Sequence, residues 1–188
     1  MPTDSAGVTD SVFTAKQSAR DVEDRVGFGG VVTVELFGPD GELKYRESGY
    51  NLVTDHGDEH VGERMRLDAT QIVTGMRLGT GSTAASKSGA GSAIVTYESG
   101  SNEALDAVAG GADLGGGLGW RITHICTWVA GDVTEVALAE VVLTDESPLT
   151  DVAGVAGDTV GRFVFAATID KQAGDSLVVT WQVDFLGA

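Results

Sequence analysis

The chain has 188 residues, 42% of them apolar, which is long enough to bury one sizeable hydrophobic core. Its 28 acidic residues against 12 basic ones give a net charge of −16, which argues against nucleic acid and anionic membranes as partners, because both attract cationic proteins. The single cysteine, Cys126, excludes an internal disulfide and a cysteine-based zinc cluster, and its apolar surroundings favour an ordinary buried thiol.

The charge pattern favours a halophilic source. The basic set holds eight arginines and only four lysines. Concentrated salt shortens the range of electrostatic repulsion to a few ångströms, so an acidic surface stays solvated there without destabilising the fold. An ordinary acidic mesophilic protein is the alternative.

Residues 1–30 are predicted to form an N-terminal arm that orders against a neighbouring subunit. The segment is polar and rich in small residues, and its apolar positions recur every three or four residues, which allows a short helix with a thin apolar face (Val12, Ala15, Ala19, Val22 and Val26). The first ten residues lack the basic start and apolar core of a signal peptide, and no run of 18 apolar residues occurs. A soluble protein without a secretion signal is expected.

From Val31 the apolar pattern alternates with a period of two, which predicts strands. Residues 31–37 and 42–47 form a predicted hairpin, joined by the turn 38–41, whose Asp-Gly pair supplies the positive φ that such a turn needs. A short helix is predicted within 52–65, where Val53, Gly57, Val61 and Met65 recur every four residues and Thr54 or Asp55 caps the first amides; the first residues of this stretch end the preceding strand.

The middle of the chain alternates strands and glycine-rich loops. Residues 72–81 predict a strand that ends in a glycine turn, residues 82–92 a surface loop, and residues 93–99 a further strand. A loop or a short helix is predicted for residues 100–119. Their glycines lack the motifs of a phosphate-binding loop.

Four strongly apolar segments follow. Residues 119–129, 161–169 and 176–186 alternate as strands, with the turn 170–175 joining the last two into a hairpin. Residues 133–143 are apolar on both faces, which suits a central strand, although the period alone also allows a helix.

We therefore predict an all-β fold, mainly an antiparallel β-sandwich, with one or two short helices and the N-terminal arm. Short glycine-rich turns between at least six strands are typical of that class. The sandwich domain is predicted to span residues 31–188. No internal repeat suggests a solenoid or a propeller.

The predicted helix contains an H-x-x-E-H sequence, His56-Gly57-Asp58-Glu59-His60. In inverted zincins this pattern binds zinc through both histidines and activates water with the carboxylate. However, Gly57 costs about 1 kcal/mol of helix propensity, and no third ligand is evident from the sequence. We expect an exposed acidic helix whose histidines and carboxylates face solvent while Val61 and Met65 seal it onto the sheet. No metal or cofactor is predicted, and His56 and His60 are the candidate ligands if a metal binds.

Three residues, Trp120, His124 and Trp128, share one face of a predicted strand. Two aromatic rings with a polar neighbour suit a sugar-binding platform, and the partner would then be a surface glycan. The same pattern is more typical of a core or a subunit contact. The sequence contains no G-x-S-x-G motif, no calcium loop and no credible cysteine nucleophile, so we predict that the protein is not an enzyme.

Several landmarks, in order along residues 31–186, resemble a small structural protein common in tailed bacteriophages. In that family the pattern is N-L-V-T, a helix, M-x-[IL]-G-T-G, I-T-E, R-x-x-F and then K-x-x-x-D-[ST]-L-x-[VI]-T-W. The matching residues here are Asn51 to Thr54, Met76 to Gly81, Val133 to Glu135, Arg162 to Phe165, and Lys171 to Trp181. The closing hairpin is the most specific part.

The resemblance implies a non-enzymatic virion protein, assembled in the host cytoplasm, that carries no catalytic residues. We expect a capsid surface decoration or turret component that works as a homo-oligomer and contacts other virion proteins. A tail component, either a tube subunit or a fibre, and a receptor- or carbohydrate-binding module are the alternatives. The acidity and the long 100–119 segment depart from the bacterial pattern, and the acidity suits a tailed virus of a haloarchaeon.

Overall fold

Two five-stranded antiparallel sheets form a β-sandwich in the computed structural model, which describes residues 27–66, 72–116 and 119–186. Sheet I has the strand order β2-β1-β10-β7-β6, and sheet II has the order β3-β9-β8-β4-β5. The strands are β1 (Gly27–Phe37), β2 (Leu43–Tyr50), β3 (Leu52–Val53), β4 (Gly75–Gly79), β5 (Glu103–Ala104), β6 (Ala107–Asp113), β7 (Gly119–Trp128), β8 (Glu135–Thr144), β9 (Thr159–Lys171) and β10 (Ser176–Leu186). One helix, α1 (Asp55–Met65), follows β3. The predicted fold class is confirmed.

Alternating side chains of both sheets fill one hydrophobic core. In sheet I, Val32 lies opposite Trp181 and Val34 opposite Val179, and all four are completely buried. Sheet II contributes fully buried side chains from β4 and β8 to the same cluster (Met76, Leu78, Leu138 and Val141). Burial of each such side chain contributes roughly 1.5–3 kcal/mol, so the period-two patterns read from the sequence are what hold the sheets together.

Most predicted elements are confirmed. Strands β1 and β2 form the first hairpin, and Gly41 has the positive φ, 81°, that the turn was expected to need. Segment 133–143 is the strand β8, paired on both sides within sheet II. Strand β1 begins at Gly27, four residues before the predicted domain start. Residues 1–26 of the predicted arm lie outside the described residues.

Two segments differ from their predictions. Residues 93–99 form no strand and make only an isolated bridge between Tyr97 and Gly79. Their amides are instead occupied by Glu140, which accepts hydrogen bonds from Val95 and Thr96. Residues 100–119, predicted as a loop or helix, contain β5 and β6, because β6 pairs along the edge of β7 despite its small side chains.

Candidate metal centre and the adjoining cavity

Helix α1 is oriented by its first turn. Thr54 is the N-cap, and its Oγ1 accepts a hydrogen bond of 3.0 Å from the Gly57 amide. Gly57 faces β9 so closely that a Cβ there would lie 2.1 Å from the carbonyl oxygen of Val160. The glycine that weakens the helix as a sequence therefore lets the helix backbone approach sheet II, and it turns His56 and His60 toward the sheet.

Both histidines meet the carboxylate of Asp145, which directly follows strand β8. His56 Nε2 lies 3.0 Å from both carboxylate oxygens, and His60 Nδ1 lies 2.7 Å from Oδ2. The three ligand-type atoms all lie within 4.8 Å of one another. His60 and Asp145 are buried and His56 is half-buried. We call these three residues the His–His–Asp cluster.

The Asp145 side chain is held as a carboxylate. Burial alone would raise the pKa of Asp145, but the hydrogen bonds from His60 and His56 outweigh it and keep the pKa below its ordinary value. A buried carboxylate is costly unless a charge or a metal compensates it. Among the described residues, the hydrogen-bond and ion-pair partners of this side chain are the two imidazoles.

The predicted orientation of the helix is wrong. The histidines face the sandwich, whereas Met65, expected to seal the helix onto the sheet, is 82% exposed. Glu59, the carboxylate of the H-x-x-E-H pattern, is exposed, and Asp145 supplies the carboxylate that the histidines contact. Asp145 was missed because it is separated from His60 by 85 positions and only the sheet topology brings the two together.

An apolar cavity of about 670 Å³ opens beside His60, between the two sheets. Sheet I contributes Ile122 and Val183 to its wall, and sheet II contributes Leu143 and Val160. His124 also lines the cavity. The space therefore has apolar walls with two imidazoles as its polar groups, in addition to Arg64 from the helix.

The His124 imidazole is neutral at ordinary pH. Burial, followed by the charge of His60, lowers the pKa of His124 to about 4. The side chain is only 8% exposed, and its Nδ1 has no hydrogen-bond partner among the described residues. A buried nitrogen without a hydrogen-bond partner is uncommon in native proteins, so this Nδ1 marks a position where a bound polar group would supply the missing hydrogen bond.

The three residues of the predicted platform do not share an exposed surface. Trp128 is completely buried, and its Nε1 donates a 2.8 Å hydrogen bond to the carbonyl oxygen of Ser101. His124 is buried in the cavity wall, and Trp120 is half exposed near the opposite end of the strand. Cys126 is buried between them, and burial raises the pKa of its thiol, as expected of an inert core cysteine.

No family model, curated protein or solved structure matches this chain. Within the described ranges, no helix is long and apolar enough to cross a bilayer.

Proposed function

We propose that the chain is a non-enzymatic structural protein of a tailed-virus particle, most specifically a decoration or turret component of the capsid surface. The proposal begins from the sequence landmarks that resemble phage structural proteins. The observation that carries it is the position of the polar landmarks in the fold. Charged side chains of these landmarks are buried in the sandwich, where they hydrogen-bond to backbone groups and to other charged side chains.

Arg162 of the R-x-x-F landmark is a buried structural cation. Its Nε donates a 2.8 Å hydrogen bond to Oε2 of Glu140, and neither side chain is exposed. Glu140 in turn accepts from the amide of Gly81, at the end of the M-x-L-G-T-G landmark, and from those of Val95 and Thr96. Two landmarks far apart in sequence are thus joined through one carboxylate.

The closing hairpin has a similar internal anchor. Lys171 is completely buried, and its Nζ donates to the carbonyl oxygens of Val129, Asp132 and Asp175 at 3.2, 2.6 and 2.8 Å. The Asp175 carboxylate accepts from Lys44 Nζ at 2.7 Å and from the Gln172 amide at 3.1 Å. The lysine and aspartate of the K-x-x-x-D pattern therefore shape a turn, which fits a family defined by architecture and not by chemistry.

Surface composition supports a role in assembly. Large apolar side chains stand exposed on strands and loops, among them Tyr50 (87% exposed) on the edge strand β2 and Val136 on β8. Strand β2 is an edge of sheet I, and an unpaired edge offers backbone groups with which another chain can pair. We propose that the working form is a homo-oligomer that contacts other virion proteins.

The acidic surface suits repeated display in brine. Three acidic and three basic side chains are buried in the described residues, so the described core carries no net formal charge (Glu140, Asp145, Asp175, Arg77, Arg162 and Lys171 are the buried ones). A haloarchaeal tailed virus is the proposed source, since molar salt screens repulsion between closely spaced acidic subunits.

Microscopy of purified particles tests the proposal directly. An epitope inserted at Gly41 lies in the exposed turn between β1 and β2, where an added side chain would meet no neighbour within 4 Å, and gold-labelled antibody should then decorate the capsid surface. Untagged particles are the control. Absence of the chain from particles would contradict the proposal, and label confined to the tail would establish the tail alternative instead.

A further inference from the structure

We propose that the His–His–Asp cluster of His56, His60 and Asp145 is a binding site for a divalent transition-metal ion of the Zn²⁺ class, which fastens helix α1 to the end of strand β8. This inference goes beyond the proposed virion role and does not depend on it.

The donor set matches the ion. Two imidazole nitrogens and one carboxylate oxygen are the ligands of many zinc sites, and three protein ligands leave a fourth position for water. Imidazole favours Zn²⁺ and its neighbours, whereas Ca²⁺ and Mg²⁺ prefer sites made wholly of oxygen. His56 and His60 are one helical turn apart, the spacing that places two imidazoles on one face.

The geometry requires a local rearrangement of the three side chains, whose ligand atoms all lie within 4.8 Å of one another. Asp145 lies 2.7–3.0 Å from the two ligand nitrogens. Ligand atoms around tetrahedral zinc at roughly 2.0–2.2 Å stand about 3.4 Å apart, so the carboxylate would withdraw by some tenths of an ångström. The ion would replace the protons now shared between the imidazoles and the carboxylate. The ligands come from α1 and from the residue after β8, so the ion would tie the helix to the sheet.

Two further features favour a metal over a simple hydrogen-bonded clamp. The Asp145 charge is buried, and its partners in the described chain are imidazoles and not lysine or arginine. His60 also lines the cavity, which gives a fourth ligand room, and the same wall holds the orphaned Nδ1 of His124.

The test is a zinc titration of the full-length chain after dialysis against chelator, followed by calorimetry in molar KCl. One Zn²⁺ per chain is expected for the wild type. His56→Gln, His60→Gln and Asp145→Asn should each weaken binding at least tenfold, since each removes one of three protein ligands. Glu59→Gln is the matched control, because this exposed carboxylate on the same helix belongs to the H-x-x-E-H pattern but not to the cluster.

Cobalt substitution adds a second readout, because Co²⁺ in a four-coordinate site gives an intense visible absorption that ions bound to surface carboxylates lack. Circular dichroism identifies any variant that fails to fold. His56 is only half-buried, so His56→Gln is the variant that the core should tolerate best. If His60→Gln and Asp145→Asn fail to fold, zinc binding by His56→Gln decides the test. No saturable zinc binding by the wild type, or equal weakening by Glu59→Gln and His56→Gln, would overturn the proposal.

Discussion

Replacing Glu140 by glutamine is expected to destabilise the protein strongly, although the two side chains have nearly the same shape. Oε2 of Glu140 faces the Nε and Nη2 of Arg162, both at 2.8 Å, while Oε1 accepts from three backbone amides. The side-chain oxygen of glutamine can still accept the hydrogen bonds from the three backbone amides, but the NH₂ group of the glutamine would then face the Arg162 guanidinium. Arg162 would be left as a buried cation without its counter-charge.

The magnitude follows from the burial of the pair. Removing one partner of a buried ion pair costs about 3–5 kcal/mol, much more than the pair itself contributes, because the remaining charge has lost its solvation. For a chain of this size, such a loss corresponds to a fall in Tm of about 6–20 °C. The surface pair of Glu63 and Arg66 offers a matched control, since Glu63→Gln also removes a carboxylate from an arginine but should cost far less, because water solvates the arginine that remains.

Urea unfolding in molar KCl, followed by tryptophan fluorescence, measures both variants under one condition. Adding Arg162→Met to Glu140→Gln should recover part of the loss, because the double variant buries no unpaired charge. If Glu140→Gln costs no more than Glu63→Gln, the buried pair does not exist in solution as described. The proposed link between the two sequence landmarks would then be lost.

Two other predictions concern the helix and the surface charge. Gly57→Ala should destabilise the protein by about 1–3 kcal/mol, because the added methyl group would clash with the Val160 carbonyl oxygen. Gly62→Ala on the same helix has open space around it and should stabilise the protein by about 0.4–1 kcal/mol. Equal urea unfolding midpoints for the two variants would contradict this position of the helix. The unfolding midpoint of the wild type should fall between molar and ~0.1 M KCl, as the screening length grows from about 3 to about 10 Å. An unchanged midpoint would argue against a halophilic source.

Sequence patterns were sufficient where burial and local capping decide the structure. The alternation of Leu177, Val179, Trp181 and Val183 predicted β10, and all four are buried. The capping residue Thr54 marked the helix start within one position. Strand β6 was missed because its alanines and glycines have low strand propensity, and its pairing with β7 is a tertiary effect.

The candidate site could be predicted only in part, since it depends on contacts distant in sequence. The spacing of His56 and His60 placed both on one helix face, but nothing local showed which way that face points. Gly57 was interpreted as a weakness of the helix. In the structure it is the reason that the histidines approach the sheet, because a side chain there would hold the helix away.

Strand β8 explains why carboxylates occur inside this sandwich. Glu140 lies within it and fixes the segment that contains Gly81 and Thr96, and Asp145 follows it and fixes helix α1. Both attached segments are poor in large apolar side chains, so hydrophobic burial alone cannot hold them against the cost of ordering their backbone. Charged hydrogen bonds to a central strand provide that attachment and also fix its geometry. The proposed metal at Asp145 would meet the same requirement, because an ion held by His56, His60 and Asp145 would fasten helix α1 to the end of strand β8.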